Sequence, residues 1–213
     1  MNESFGQQDP GTSESEYNTL AFVVMQLLSK LQTVTLVRVL SVSNAGGVVP
    51  VGTVSVQPLV NQMTGQRTAV PHGEIFKVPY LRLQGGADAV ILDPKVGDIG
   101  MCGFASRDIS AVKAAKAPAN PGSLRQYDWA DGLYFGGFLN GAPTQYVRFA
   151  VDGVTVVSPT AVTLQAPAIT LDGDVHITGA TTADGDVTAE GISLEHHVHS
   201  GVMPGGGNSG PPV

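Results

Sequence analysis

Three of the five histidines in the chain, His196, His197 and His199, fall within four residues of one another. Imidazole is a proton carrier near neutral pH and the commonest metal ligand. His197 and His199 stand two apart, so in extended chain both rings project from one face while Val198 points to the other. Two imidazoles complete no common metal site, but three copies of the chain around an axis supply six, and an octahedron has a three-fold axis relating two triangles of ligands. A tetrahedral zinc site does not accept two equal ligands from each of three chains. Octahedral coordination by six histidine nitrogens points to iron, nickel or cobalt, with iron the most available. The plain alternative is a solvated, histidine-bearing tail. His197 and His199 are therefore the candidate ligands of one iron shared by three chains.

The segment before these rings must position them. Residues 145–195 contain short fragments in which apolar residues alternate with polar ones (Val162 and Leu164; Ile169 and Leu171; Val175 and Ile177), separated by SP, AP, DGD and TG. The tetrapeptide DGDV at 172–175 returns at 184–187. Short repeated strands with little but Val, Ile, Leu and Ala inside mark a β-solenoid or an intertwined β-helix. In a lone chain so thin an apolar stripe does not offset roughly 1 to 2 kcal/mol of backbone ordering per residue. Three chains wound round a common axis close the stripe into a core and leave no free sheet edge. A homotrimer is expected, the competing reading being a single-chain solenoid with larger coils and a capping element. Parity adds a demand: an unbroken strand through Ile192 and Leu194 would turn His196 inward and His197 and His199 outward, so a turn or bulge must lie between Leu194 and His197. That leaves His196 outside the ligand set. His176, on the polar face, and His72, in a loop, read as structural or solvated.

Charge is distributed unevenly. Residues 1–148 hold all 11 Lys and Arg and 11 of the 18 acids; residues 149–213 hold no basic residue and seven acids, with no aromatic after Phe149. A segment with no Lys or Arg neither neutralises phosphates nor sits on anionic lipid, and without aromatics it offers no stacking platform. Nucleic acid is excluded as its partner. The single cysteine, Cys102, forms no intrachain disulfide and no multi-cysteine zinc site. The apolar run Leu20 to Leu28 is short for a membrane span and follows acidic rather than basic residues, so no signal peptide is read.

Further toward the N-terminus, residues 1–33 read as a polar arm and an amphipathic helix, with Leu20, Val23, Val24, Leu27, Leu28 and Leu31 at helical spacing and Ser13 and Glu16 as a capping box. The helix packs either on its own domain or on a partner. Residues 34–112 turn to β texture: VTLVRVLSVSN, GTVSVQPLV with Val54, Val56 and Val60 alternating against Thr53, Ser55 and Gln57, then DAVILDP and GDIGMCGFAS. Several short strands punctuated by glycine fit a small barrel of the OB type, with a β-meander sandwich as the competitor. Residues 113–144 read as a connector. The fold class is thus mainly β: helix, OB-fold domain, triple-stranded β-helix at 145–195 and a metal-binding apex at 196–213.

The stretches VGTVSVQPLV, VPY and GDIGMCGFASRDI, with the closing HHVHSGVMPGGGNSGPPV, resemble the central spike proteins of contractile-tailed phage baseplates over roughly residues 34–213. HxH followed by glycine, PGGG and GPP is the most specific part. The resemblance implies an OB-like end seated on the baseplate hub, a trimeric β-helix, and an apex iron held by His197 and His199. It implies a virion protein that pierces the bacterial outer membrane when the tail sheath contracts. Some relatives carry a lysozyme domain between barrel and β-helix, and the connector is too short for one.

No enzyme is expected. There is no GxSxG or HExxH, GGGNSG lacks the lysine of a phosphate loop, and the Asp172/Asp174 and Asp184/Asp186 pairs fall in turns, where aspartate bonds locally. A trimeric receptor-binding fibre or adhesin would present aromatic or varied polar loops, which this small, glycine-rich tip does not. The spike of a related secretion or toxin-delivery machine shares the same mechanics. No small-molecule substrate is expected.

Overall fold

The computed structural model describes residues 10–44, 47–64, 66–201 and 205, and the chain divides into two compact units, 1–144 and 145–213. The first unit opens with a 3-10 turn at Pro10–Ser13 and helix α1, Glu16–Leu28. Its N-cap is Ser15, two residues after the serine that the capping-box spacing predicts; the Ser15 hydroxyl accepts from the Asn18 N–H at 3.1 Å. The difference has a local cause, because Asn18, rather than Glu16, occupies the third helical position, and its own amide reaches back to the Gly11 carbonyl at 2.8 Å. No residue of α1 is buried, and Leu20, Val24, Leu27 and Leu28 are all about half exposed or more. Among the described residues the apolar stripe is left exposed.

The body of the unit is a mainly antiparallel β structure. The strands are β1 (Val34–Val42), β2 (Thr53–Pro58), β3 (Gln62–Met63), β4 (Ala69–Val70), β5 (Ile75–Pro79), β6 (Leu83–Gly85), β7 (Asp88–Val90), β8 (Ile99–Phe104) and β9 (Gly132–Gly137). Five of them form one sheet in the order β5-β2-β1-β8-β9, while β3-β4 and β6-β7 are separate hairpins. Irregular register between Val39 and Ser41, between Val54 and Val56, and between Met101 and Cys102 marks bulges that bend and twist the sheet. Curling brings its two edges together: Tyr80, just past β5, forms a parallel bridge with Tyr134 of β9, and the Leu81 N–H donates to the Tyr134 carbonyl at 2.8 Å.

Alternation supplies the core. Val37 and Val39 of β1, Val54 and Val56 of β2, Ile75 and Val78 of β5, Cys102 and Phe104 of β8, and Tyr80 and Tyr134 are buried together. Val60, which the sequence pattern groups with Val54 and Val56, lies beyond the end of β2 and is exposed. The strand β9 comes from the connector stretch. A short helix α2 (Ser110–Ala115) leads into that stretch, which is tied down by Arg125, donating to Asp131 at 2.6 and 3.0 Å and to Asp108 at 2.6 Å. Both carboxylates are buried, and they also accept from the Ile109 N–H, the Ser110 N–H and the Ser123 hydroxyl. Buried charges persist only when paired and hydrogen-bonded in this way.

The second unit begins with a hairpin of β10 (Tyr146–Ala150) and β11 (Gly153–Val157) and contains a shorter hairpin of β12 (Thr188–Ala189) and β13 (Ile192–Ser193). Between them, residues 159–187 form no strand and are exposed throughout. The fragments around Val162, Ile169 and Val175 carry no ladder within the chain. A strand needs a paired neighbour, and among the described residues the chain supplies none there.

Candidate metal centre

The histidines are presented by the β12–β13 hairpin. Its two loop residues, Glu190 and Gly191, both have positive φ (50° and 83°), the pattern of a type I′ turn that matches the twist of the flanking strands. Glycine meets this demand without steric cost at position 191. Directly after β13, residues Leu194–His196 form a turn, the break that side-chain parity requires before His197.

Several hydrogen bonds fix this turn. The Leu194 N–H donates to the Val187 carbonyl at 2.8 Å and the Glu195 N–H to Asp186 Oδ1 at 3.1 Å. The Ser193 hydroxyl oxygen accepts from the His196 N–H at 2.8 Å. The same hydroxyl, with the Glu195 N–H next in effect, holds the Asp186 carboxyl below its usual range. The turn in turn orients the first candidate ligand: His197 Nδ1 lies 3.1 Å from both the Ser193 and the Leu194 carbonyl oxygens. Carbonyls only accept, so Nδ1 carries the hydrogen and the Nε2 lone pair remains for a ligand bond. A second-nitrogen hydrogen bond to a backbone carbonyl is the usual arrangement of a metal-ligating histidine.

His199 stands beside His197, ring centroids 5.1 Å apart and planes at 80°. The structure thus brings the two candidate ligands together. His196 places its Nε2 3.8 Å from Glu195 Oε2. His176 is exposed, while His72 packs against Trp129 at 5.0 Å and its carbonyl accepts from Gln57. Among the described residues no group of three or more His, Cys, Asp or Glu comes together in one chain. The donor set fits a metal shared between chains. The path of the glycine-rich residues 202–204 and 206–213 lies outside the described residues.

Sequence reasoning missed Asp186 and Ser193. The repeated DGDV at 184–187 was the available signal, but it identified Asp186 only as a turn residue. It also passed over Arg125 with Asp108 and Asp131, and over the buried pair of Arg82 and Asp93, joined at 2.6 Å, because such partners are far apart along the chain.

A family model described as the GpV Apex motif matches residues 191–213. The match points to the phage central spike proteins. It begins within the β12–β13 loop and contains both candidate ligands. A comparison of the chain with curated proteins finds no match. The apex family is structural, and the motif supports a role as a phage spike-tip protein, a component of the virion and its baseplate. Among the described residues no helix is long and apolar enough to cross a membrane.

Proposed function

We propose that three copies of this chain form the central spike of a contractile tail, which pierces the bacterial outer membrane. The observation that carries the reading is the apex match at residues 191–213. In this reading residues 34–112 form an OB-like domain that the strand of the connector completes, and this end seats on the tail hub. Residues 145–195 wind into a triple-stranded β-helix. His197 and His199 of each copy hold a single iron through six imidazole nitrogens.

Exposure in the second unit supports the trimer. Leu164, Ile169, Leu171, Val175 and Ile177 are each more than half exposed. So many exposed apolar side chains in one segment support an interaction surface, and among the described residues 159–187 carry no ladder. Winding three stripes round an axis meets both needs at once. The metal's role is mechanical: it ties three chains together where strand pairing is shortest and adds folding free energy. Six protein ligands leave no open position, so the ion takes no substrate.

Solution mass combined with elemental analysis of the untagged protein tests this. The expected result is a trimer with one metal per three chains, lost in the His197→Ala, His199→Ala double variant and kept in His196→Ala. A monomer, or a metal-to-chain ratio near one, overturns the axial site. Equal loss in His196→Ala overturns the ligand assignment.

A further inference from the structure

We propose that Asp186 and Ser193 are positioning residues for the His197 ligand, acting through the Leu194–His196 turn and not by touching the metal. The inference rests on the shared-metal reading above. Asp186 Oδ1 anchors the Glu195 N–H at 3.1 Å, and the neighbouring Val187 carbonyl anchors the Leu194 N–H at 2.8 Å, so both residues after β13 are pinned to the two residues that precede β12. The Ser193 hydroxyl pins the third, the His196 N–H, at 2.8 Å. Three consecutive backbone N–H groups are thus held, and two of the carbonyls in this clamped segment, those of Ser193 and Leu194, accept the Nδ1 hydrogen of His197. Fixing those carbonyls fixes the tautomer and the direction of Nε2. Thr188 adds a long contact to the same carboxylate, its hydroxyl 3.4 Å from Asp186 Oδ2.

The sequence contains its own control. Asp174 occupies the same place in the first DGDV as Asp186 does in the second. It is exposed and, among the described residues, engages no backbone N–H of the apex turn. A role common to the repeat would involve both aspartates, whereas a ligand-positioning role involves Asp186 alone.

The test is iron retention by the purified full-length trimer against a graded chelator, for wild type, Asp186→Ala, Ser193→Ala, Asp186→Asn and Asp174→Ala, with solution mass recorded for each. A second readout is the visible spectrum of the cobalt(II)-loaded protein, which reports ligand orientation. Losing a partner of a ligand typically weakens metal binding about 10- to 100-fold. Asp186→Ala and Ser193→Ala are expected to bind iron at least about tenfold more weakly and to shift the cobalt bands while remaining trimeric. Asp186→Asn, which keeps an oxygen acceptor for the Glu195 N–H, is expected to retain most of the affinity, and Asp174→Ala all of it. Wild-type affinity in Asp186→Ala overturns the inference, as does equal loss in Asp174→Ala or loss of iron only where the trimer is also lost. A wild-type trimer that takes up no metal overturns the reading beneath it instead, and the inference with it.

Discussion

Tyr134→Phe should stabilise the curled sheet. The Tyr134 ring is 1% exposed within the core, and among the described residues its hydroxyl has no hydrogen-bond partner. A buried hydroxyl left unsatisfied costs about 1 to 3 kcal/mol. Deleting it removes that cost, keeps the ring and leaves a gap smaller than a water molecule, so a net gain of about 1 kcal/mol is expected, part of the gain being lost to the gap. For a chain of this size that corresponds to a rise in Tm of about 2 to 4 °C. The alkaline limb gives an independent check. Burial, with smaller effects from Asp98 and Cys102, pushes the Tyr134 hydroxyl up to about 12 from 10.0. An unfolded tyrosine ionises more readily than this one, so its contribution to stability is complete below pH 10 and is lost as pH rises toward 12. The variant lacks that component but keeps the earlier loss due to Cys102, whose thiol burial pushes up to about 12 from 9.0. Thermal unfolding followed by circular dichroism between pH 7 and 11.5 measures both effects. A variant less stable than wild type by about 1 kcal/mol or more would show that the hydroxyl is paired, and an unchanged alkaline limb would show that its burial does not govern its ionisation; either result refutes the reasoning.

Other consequences can be checked in the same way. Gly100→Ala would place a methyl group against the Tyr134 ring and the Gly136 carbonyl at the β8–β9 seam, where backbone cannot yield, so destabilisation at or above the top of the usual range of about 1 to 3 kcal/mol is expected in denaturant titration. Asp108 is held at about 2, chiefly by the Ser110 hydroxyl and N–H, with Ser123 and Arg125 adding to the effect. A depressed carboxyl stabilises above its unfolded pKa and loses that contribution as pH falls from about 4 toward 2, so Asp108→Asn should flatten the acid limb in this window. Arg125→Ala removes the cation that pairs with both buried carboxylates and should move acid unfolding to higher pH, as intrinsic fluorescence of Trp129 beside this cluster would report.

Local regularities carried much of the fold into the sequence. Alternation in GTVSVQPLV put Val54 and Val56 on one face before any pairing was known, because one face of a strand is fixed by a period of two, though it added Val60, which lies past the strand and is exposed. Helical spacing located α1, and parity at Ile192 and Leu194 required the turn that precedes His197. All of these depend on neighbours within a few residues. The exposed stripe of α1 was legible as apolar, but whether its own domain would cover it was not, since burial depends on what else the chain brings near.

The sequence by itself determined the two-residue spacing of His197 and His199, the shared face of Val54 and Val56 and the absence of basic residues from the last third. Tertiary structure alone decided that Tyr80 meets Tyr134 to join the sheet's edges, that Gly132–Gly137 leaves the connector to become its fifth strand, and that Asp186 clamps the turn carrying His197. The physical reason is range. Side-chain period and turn chemistry act over a few bonds, whereas edge closure and the anchoring of the turn before His197 depend on which distant groups can satisfy one another's hydrogen bonds, and that is settled only when the whole chain has packed.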